Sequence, residues 1–599
     1  MERILGIGMR KRSLGICAII IYVLLDAALI LNLWWKPAQQ DDTTEQTEEE
    51  LTAEENETEN IVEQTGPDRE FPMVENNYEY ATAAQVGLYA VSNELDLYAE
   101  DTENILNRYN LPELERMEDT DAEEKMSGLQ VLRRIEELDI DIEEIMTPEY
   151  GWKSVYNDSI TQLMTALDFD EEISFEGTKA SELNEFLADK SNSGKYVNIC
   201  SDEILLDETI VIPSNVILDG NGVNIASQDE EAEYAILVEN AENIGIYNIN
   251  LTGGFGQGIY VITSNHVLIY GNEITNATYK AVCVMGENSY INLVNNSIHD
   301  NGNGAVFYDG SISNCILQGN SIYQNRGTRN LTAGIVFSAM YVEDIYTPYN
   351  TFLDEYLYEQ TEAPHHNVLK DNLIQGNYSS GFYCDGGYIN YVIDNIIEEN
   401  EKEGMCLDYG TFGTYVSGNL IRENGNRNRQ TDEDLTADFI LEWGRLEDGS
   451  SKAKLPGLSI DNSAYNIIYN NSICDNSGSG VKMVRSGYRN LILSNVIADN
   501  NRGMSEAYHG FGVELGYAVE PDEPVIGLDF TPDYENIIAR NVITGIHSSG
   551  IYLAADTYCN DIIDNIIADC EYAVENHSSY FNSAVGNSTN VPCLDFATD

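Results

Sequence analysis

The chain has 599 residues, with 31 Lys plus Arg against 101 Asp plus Glu, and a formal net charge of −70. Its 43% hydrophobic and 10% aromatic residues supply enough apolar material for a large core, which excludes an acidic chain that is disordered throughout. The shortage of basic residues argues against nucleic acid as a partner, because phosphate backbones are bound through Lys and Arg.

The first segment, residues 1–37, predicts a cytoplasmic tip and a membrane anchor. Residues 13–35 form an apolar run interrupted by one charge, Asp26, and about 20 residues of helix are enough to cross a bilayer. Four basic residues precede the run and only Lys36 follows it closely, so the N-terminus is expected in the cytoplasm and the rest of the chain outside. A cleaved signal peptide is the alternative, but such peptides have a shorter apolar core of about 7–15 residues. We therefore expect a single-pass protein of the cell membrane with an extracellular C-terminal domain.

Two more segments precede the main domain. Residues 38–77 form an acidic linker, because 13 Asp or Glu and one Arg fall within residues 41–70 and their repulsion keeps the chain extended. Residues 78–175 predict a helical region, since apolar side chains recur every three or four positions between Leu132 and Ile145. The ten cysteines contain no C-x-x-C pair, so zinc and thioredoxin-type chemistry have no support.

Residues 200–575 carry an internal repeat of about 23–24 residues with three longer gaps. Its marker is the triplet Asn-x-Ile, which begins at Asn272, Asn296, Asn320, Asn372, Asn395, Asn419, Asn471, Asn495, Asn541 and Asn565. Each repeat also contains a Gly or Ala that opens a strand, followed by apolar second and fourth residues, as in Gly404, Met405 and Leu407. Repeats this short bury a face only by stacking, so the pattern predicts coils of a parallel β-helix. The recurring Asn residues predict an internal ladder that bonds turn backbones.

Over residues 176–599 the sequence resembles the right-handed parallel β-helix proteins of the pectin-lyase-like superfamily. Besides the repeat, the entry is similar: a short helix pattern (Leu183, Phe186, Leu187) caps the coil end before residues 194–199. The resemblance implies an all-β solenoid of about 11–13 coils, and we expect a monomer. Because this fold hosts lyases, hydrolases, epimerases and non-enzymes, it does not imply one reaction. The Asp-Pro-His-Asp signature of mannuronan epimerases and the Asn-Thr-Asp and Arg-Ile-Lys motifs of polygalacturonases are absent, so no catalytic residue is carried over.

One outward strand face is the candidate site. If the second and fourth residues of each strand point inward, the fifth points outward, and three consecutive coils place Asp385, Asp408 and Asp461 there, with Tyr308 in the same column. Strands about 4.8 Å apart stack these carboxyl groups, which raises a pKa or requires a cation. Beside them the sequence predicts Tyr383, Lys482, Glu514 and Arg485.

Two mechanisms fit these residues. In a glycoside hydrolase one protonated Asp donates to the glycosidic oxygen while another activates water or attacks the sugar. In a lyase or epimerase Asp385, Asp408 and Asp461 hold Ca²⁺, which neutralises a uronate, while Lys482 or Arg485 approaches as the base. No other cofactor is predicted, and the charge of the chain leaves neutral glycans or Ca²⁺-bridged uronans as substrates.

Three long insertions and one histidine extend the prediction. His509 precedes a strand, as a catalytic His does in polygalacturonase-like enzymes, and is a candidate catalytic residue. The insertions, residues 341–364, 426–456 and 517–534, are rich in aromatics that either stack on sugar rings or cover the solenoid; one of them is Trp443. The candidate substrate-binding residues are Tyr308, Tyr383, Arg485, Glu514 and Trp443. The preferred hypothesis is a membrane-anchored extracellular enzyme acting on a polysaccharide or cell-wall glycan, and the alternative is a non-catalytic surface β-helix for glycan binding or assembly.

Overall fold

A computed structural model describes twelve stretches of the chain: residues 152–169, 171–227, 232–327, 330–339, 363–411, 413–425, 455–485, 487–502, 510–516, 533–555, 557–578 and 582–595. The predicted anchor at residues 13–35, the acidic linker and most of the predicted helical region lie outside these stretches. Within them, neither α-helix has the length and apolarity that crossing a bilayer requires.

The described chain winds into a parallel β-solenoid. Each full coil contributes one strand to a 14-stranded sheet, called sheet 1, and two segments to a 28-stranded sheet, called ladders 2 and 3. Sheet 1 consists of β4 (Ile210–Val211), β6 (Ala232–Glu239), β8 (Phe255–Ile262), β11 (Val282–Met285), β14 (Val306–Asp309), β18 (Ile335–Ser338), β21 (Phe382–Asp385), β24 (Met405–Asp408), β27 (Leu458–Asp461), β30 (Val481–Val484), β33 (Val513–Leu515), β36 (Ser549–Leu553), β39 (Tyr572–Asn576) and β42 (Leu594–Asp595).

The other two faces are parallel ladders that share their long early strands. Ladder 2 consists of β1 (Glu171–Phe175), β2 (Lys195–Ile199), β5 (Val216–Ala226), β7 (Glu242–Leu251), β9 (Asn265–Tyr270), β12 (Asn288–Val294), β15 (Ile312–Ser313), β16 (Ile316–Gln318), β19 (Val368–Lys370), β22 (Tyr391–Ile393), β25 (Tyr415–Ser417), β28 (Ile467–Tyr469), β31 (Leu491–Leu493), β34 (Ile537–Ala539), β37 (Asp561–Ile563) and β40 (Ser583–Val585). Ladder 3 consists of β3 (Glu203–Leu205), β10 (Glu273–Thr275), β13 (Ser297–His299), β17 (Ser321–Tyr323), β20 (Leu373–Gln375), β23 (Ile396–Glu398), β26 (Leu420–Arg422), β29 (Ser472–Cys474), β32 (Val496–Ala498), β35 (Val542–Thr544), β38 (Ile566–Ala568) and β41 (Ser588–Thr589). The strands β5 and β7 run through both ladders.

The alternation of side chains along each strand builds the core. In β21, Phe382 and Cys384 belong to the continuous hydrophobic core, whereas Tyr383 and Asp385 lie on the other face of the strand. The 14 strands of sheet 1 exceed the 11–13 coils predicted. The repeat that was counted in the sequence marks ten coils, from β8 to β36. The two coils before them, which contain β4 and β6, and the two after them, which contain β39 and β42, do not follow it.

Asn side chains bond the coils to one another inside the turns. Asn272 donates from Nδ2 to the Oδ1 atom of Asn296 at 3.1 Å and to the carbonyl of Ile246 at 2.9 Å. The same contact repeats from coil to coil up to Asn587, which confirms the predicted ladder. Two further ladders occupy other turns. They consist of Asn301, Asn325, Asn377, Asn400, Asn424, Asn476 and Asn500, and of Asn367 and Asn390 followed by Asn466, Asn490, Asn536, Asn560 and Asn582.

Two α-helices pack on the solenoid. Helix α1 (Trp152–Ala166) lies outside ladder 2, where its Leu163 joins a small cluster of apolar side chains from β5, β7, β9 and β12. Helix α2 (Ala180–Leu187) covers the first coils with Leu183 and Leu187, as the sequence predicts for the cap. The strand β1 precedes α2 and pairs with β2, so the solenoid begins at Glu171, slightly before residue 176. Two 3₁₀ turns complete the helices, at Lys190–Asn192 and Asn330–Thr332.

Candidate functional site on sheet 1

Acidic side chains lie on neighbouring coils along the outward face of sheet 1. Asp385 and Asp408 are paired in the register of β21 and β24, and Asp461 ends the next strand, β27. Because parallel strands lie about 4.8 Å apart, these carboxyl groups are stacked along the solenoid axis. Two more residues complete the series, since Asp309 pairs with Ser338 and Ser338 pairs with Asp385. We call these five residues, each the last of its strand, the carboxyl column.

The prediction that Tyr308 belongs to this column is wrong by one residue. The register pairs Asp309 with Ser338, and it pairs Tyr308 with Phe337 inside the core. Tyr308 is fully buried, and its hydroxyl donates to the backbone carbonyl of Ile291 at 2.9 Å. The sequence reading therefore missed Asp309, a fourth acidic member of the column.

The error has a backbone cause. Gly304 has φ of +88°, and the register makes Ala305 the residue that opens this coil's strand. The sequence contained a signal for this shift, because in coils without insertions the opening residue follows the ladder Asn by nine positions, as from Asn372 to Gly381. Counted the same way from Asn296, the opening residue is Ala305.

Two of the carboxyl groups have defined partners. Asp408 accepts hydrogen bonds from the Tyr383 hydroxyl at its Oδ2 atom and from the Tyr409 backbone N–H at its Oδ1 atom, both at 2.8 Å. Asp461 accepts from the Arg485 guanidinium at both oxygens, with Nε to Oδ1 at 2.7 Å. Since both carboxyl groups are almost fully buried, these contacts replace water as their main hydrogen-bond partners.

Burial and mutual repulsion raise the pKa values of the acidic side chains in the column. Burial raises the pKa of Asp385 to about 7, and the nearby charge of Asp309 adds to the rise. Burial and then the charge of Asp461 raise the pKa of Asp408 well above its usual range. Burial also raises the pKa of Asp461, but the Arg485 guanidinium opposes that rise. Because the cation favours the ionised form of Asp461, Asp408 holds a proton more strongly than Asp461 does.

Lys482 and Glu514 form a buried ion pair next to the column. Their strands β30 and β33 pair these two residues directly, and Lys482 Nζ lies 2.9 Å from Glu514 Oε1. The hydroxyl of Ser479 donates to the other carboxylate oxygen at 2.6 Å. The predicted base and the predicted substrate-binding acid are thus bound to each other, so neither charge is left uncompensated.

The remaining predicted residues divide between buried and undescribed positions. Tyr383 is 2% exposed and packs with Val336 and Cys406. It is therefore a buried hydrogen-bond donor to Asp408. His509 and Trp443 lie outside the described residues, and so do nearly all of the three aromatic insertions.

The arrangement does not fit a calcium ion at the column. Calcium takes six to eight oxygen ligands and carries two positive charges, whereas the Arg485 guanidinium already binds Asp461 and would repel a second cation there. Across the described stretches, no group of three or more His, Cys, Asp or Glu residues is arranged to hold a metal.

Two family models match parts of the solenoid. Residues 234–421 match the right handed beta helix region family, and residues 356–510 match the family described as periplasmic copper-binding protein (NosD). Within the second match, the Nδ1 atoms of His365 and His366 lie 2.9 Å apart, but the described residues supply no third side chain for a metal site there. A search of curated proteins finds no match.

Solved structures with similar folds include carbohydrate enzymes. The mannuronan C-5 epimerase AlgE6 A-module of Azotobacter vinelandii is 14% identical, with 71% of this chain and 100% of that chain covered and a TM-score of 0.43. DFA-IIIase from Arthrobacter chlorophenolicus A6 in complex with GF2 is 11% identical, with coverages of 62% and 94% and a TM-score of 0.39. The periplasmic alginate epimerase AlgG is 12% identical, with coverages of 68% and 88% and a TM-score of 0.33. Similarity at these levels of sequence identity and TM-score does not show a reaction for this chain.

The coil pattern, the parallel registers and the family match agree with one another. The match to the right handed beta helix region covers residues 234–421, which span seven coils of the observed solenoid, from β6 to β24 in sheet 1. The right-handed parallel β-helix predicted from the repeat is thereby confirmed.

Proposed function

We propose that the chain is a glycoside hydrolase that cleaves a neutral polysaccharide by acid–base catalysis at the carboxyl column. One observation carries the proposal: a single strand face holds Asp385, with a pKa raised to about 7, and Asp461, whose carboxylate is paired with Arg485. A carboxylic acid that keeps its proton near neutral pH and a second, ionised carboxylate are the two groups that hydrolysis of a glycosidic bond requires.

The roles follow from the protonation states. Asp385 donates its proton to the glycosidic oxygen as the bond from that oxygen to the anomeric carbon breaks. Asp461 accepts a proton from the water molecule whose oxygen bonds to the same carbon. A carboxylate that bonds Arg485 through both oxygens still has a second lone pair on each oxygen for this water.

The spacing favours inversion at the anomeric carbon. Asp385 and Asp461 lie two strands apart, which is roughly 9.6 Å along the solenoid. Carboxyl separations of about 6.5–9.5 Å are typical of inverting hydrolases, in which a water molecule fits between the base and the sugar. Asp408, the protonated residue between them, provides a hydrogen-bond donor for a sugar oxygen.

The pairing of the cations supports a neutral substrate. Among the described residues of this face, Lys482 binds Glu514 and Arg485 binds Asp461. A uronate would have to displace one of these carboxylates while facing the rest of the column, and like charges in a buried site repel strongly. A calcium-dependent lyase or epimerase would in addition need the ion that the column does not fit.

The test is an assay of the full chain against a panel of neutral and acidic polysaccharides, with added calcium or with a chelator. We expect new reducing ends from a neutral glycan, no unsaturated products and no dependence on calcium. Asp385→Asn and Asp461→Asn should each lower kcat by about 10²–10⁴-fold. Asp394→Asn, which removes a carboxylate that is 51% exposed on ladder 2, should leave kcat unchanged. Binding without turnover would instead support a non-catalytic glycan-binding protein.

We also propose that the enzyme works outside the cell, tethered by residues 13–35. The support is the apolar run and its basic flank in the sequence. Protease treatment of intact cells should remove the solenoid, and the N-terminal fragment should stay with the membrane fraction. Release of the whole protein by a high-salt wash would contradict the anchor.

A further inference from the structure

A polar cavity of about 410 Å³ lies where ladder 3 turns toward sheet 1. It is distinct from the carboxyl column, because it borders the residues that lead into the strands of sheet 1, whereas the column lies at the ends of those strands. Three successive coils line it, with Glu273, Thr275, Asn276, Ala277, Thr278, His299, Asp300, Gly302 and Arg326. The volume is within the range of about 300–1,000 Å³ that is typical of small-ligand sites.

One wall of the cavity is a fixed pair of carboxylates. His299 contacts Asp300 Oδ2 through Nδ1 at 2.8 Å and Glu273 Oε1 through Nε2 at 3.3 Å. Its ring is stacked on Tyr323, with centroids 4.5 Å apart and planes at 10°. The histidine therefore holds both acids in place through one oxygen each. Within the described stretches the other oxygens, Glu273 Oε2 and Asp300 Oδ1, have no hydrogen-bond partner and can accept from a ligand.

The other polar feature of the cavity is a guanidinium on a fixed backbone. Arg326 donates its backbone N–H to the carbonyl of Asn301 and accepts from the N–H of Gly304, both at 2.7 Å. Among the described residues its guanidinium has neither an ion pair nor a hydrogen bond. Elsewhere in the described chain, ion pairs with carboxylates are made by Arg422, Arg485, Arg489 and Arg502. Arg326 is an exposed residue, so its guanidinium is in contact with water and open to a ligand.

We propose that this cavity binds an acidic sugar residue. The guanidinium presents parallel N–H donors that match the two oxygens of a carboxylate. The free oxygens of Glu273 and Asp300 accept hydrogen bonds from sugar hydroxyls, which a simple carboxylate without hydroxyl groups could not supply. A metal ion is not the ligand, since the described residues contain no group of three or more metal-binding side chains. The cavity would therefore bind an acidic sugar that is different from the neutral glycan cleaved at the carboxyl column.

The test is a ligand-observed NMR titration of the full chain with D-glucuronate, its methyl ester and D-glucose. We expect D-glucuronate to bind about tenfold or more tightly than the other two, because only it pairs a carboxylate with the guanidinium. Arg326→Met should remove this preference, and Arg326→Lys should restore part of it. Arg502→Met removes a guanidinium on the same turn of a later coil, where it pairs with Asp475, and should change nothing.

Three results would overturn the proposal. Equal affinity for D-glucuronate and D-glucose would show that the carboxylate is not recognised. Unchanged binding by Arg326→Met, with an unfolding midpoint equal to that of the unmodified chain, would place the ligand elsewhere. Binding of acetate as tightly as D-glucuronate would show that the sugar hydroxyls have no part. Asp385→Asn should leave this binding intact even if it abolishes cleavage, which separates the cavity from the proposed hydrolase site.

Discussion

Asp385→Asn is expected to stabilise the protein at neutral and alkaline pH. The fold raises the pKa of Asp385 from 3.8 to about 7, so between these values the native state holds a proton that the unfolded chain has lost. Stability therefore falls as the pH rises through this window, and the loss is complete above the folded pKa. A tenfold change in acidity corresponds to about 1.4 kcal/mol, so a rise of this size in the pKa gives a loss of up to about 4 kcal/mol. An amide never ionises, so the variant avoids this loss.

The assay is urea unfolding of both proteins at a series of pH values from about pH 4 to about pH 8. The stability difference in favour of the variant should grow from a small value at the acidic end to as much as about 4 kcal/mol at the alkaline end. Asp394→Asn, the exposed control on ladder 2, measures the effect of losing one surface charge together with its ion pair to Lys370. A difference that does not change with pH would refute the reasoning, because Asp385 would then be ionised in the folded state at neutral pH and could not serve as the acid.

Three further changes test the packing around the column and the ladder. Tyr383→Phe removes the hydrogen bond to Asp408 and should cost about 1–3 kcal/mol in urea unfolding, because a buried acceptor loses its donor; a loss near zero would mean that the phenol does not bind this carboxyl group. Arg485→Met should cost about 3–5 kcal/mol at alkaline pH by leaving the charge of Asp461 buried, and adding Asp461→Asn should recover most of the loss; additive costs would contradict the ion pair. Asn395→Ala interrupts the ladder toward both neighbouring coils and should lower the free energy of unfolding by about 2–4 kcal/mol. A cost equal to that of an exposed Asn→Ala change would show that Asn395 does not bond the coils together.

The sequence was most informative where the repeat is strict. Alternation within strands and the Asn-x-Ile spacing predicted the coils, and the register of Asp385 with Asp408 follows from them. The prediction failed at Tyr308 because Gly304 was taken as the residue that opens the strand, whereas the register makes it Ala305. The pairing of Lys482 with Glu514 was also within reach, since opposite charges at the same position of neighbouring coils are direct partners.

Other features could not be predicted from patterns. Outward side chains of a strand are usually solvated, yet Asp408 is 3% exposed, and its raised pKa depends on that burial. The cavity beside Arg326 depends on how turns of three coils pack against one another, and no periodicity describes it. Protonation states and cavities depend on three-dimensional packing, so they appear only after the coils are assembled.

The central claim is that sheet 1 cleaves a glycan through Asp385 and Asp461. Its most direct test is the structure of Asp385→Asn bound to an oligosaccharide of the neutral glycan that the unmodified chain cleaves. We predict that the sugar lies along the carboxyl column, with a glycosidic oxygen within about 3.2 Å of the side chain at position 385 and a water molecule between the anomeric carbon and Asp461. An oligosaccharide bound over ladder 2 or ladder 3, with the column uncontacted, would contradict the claim.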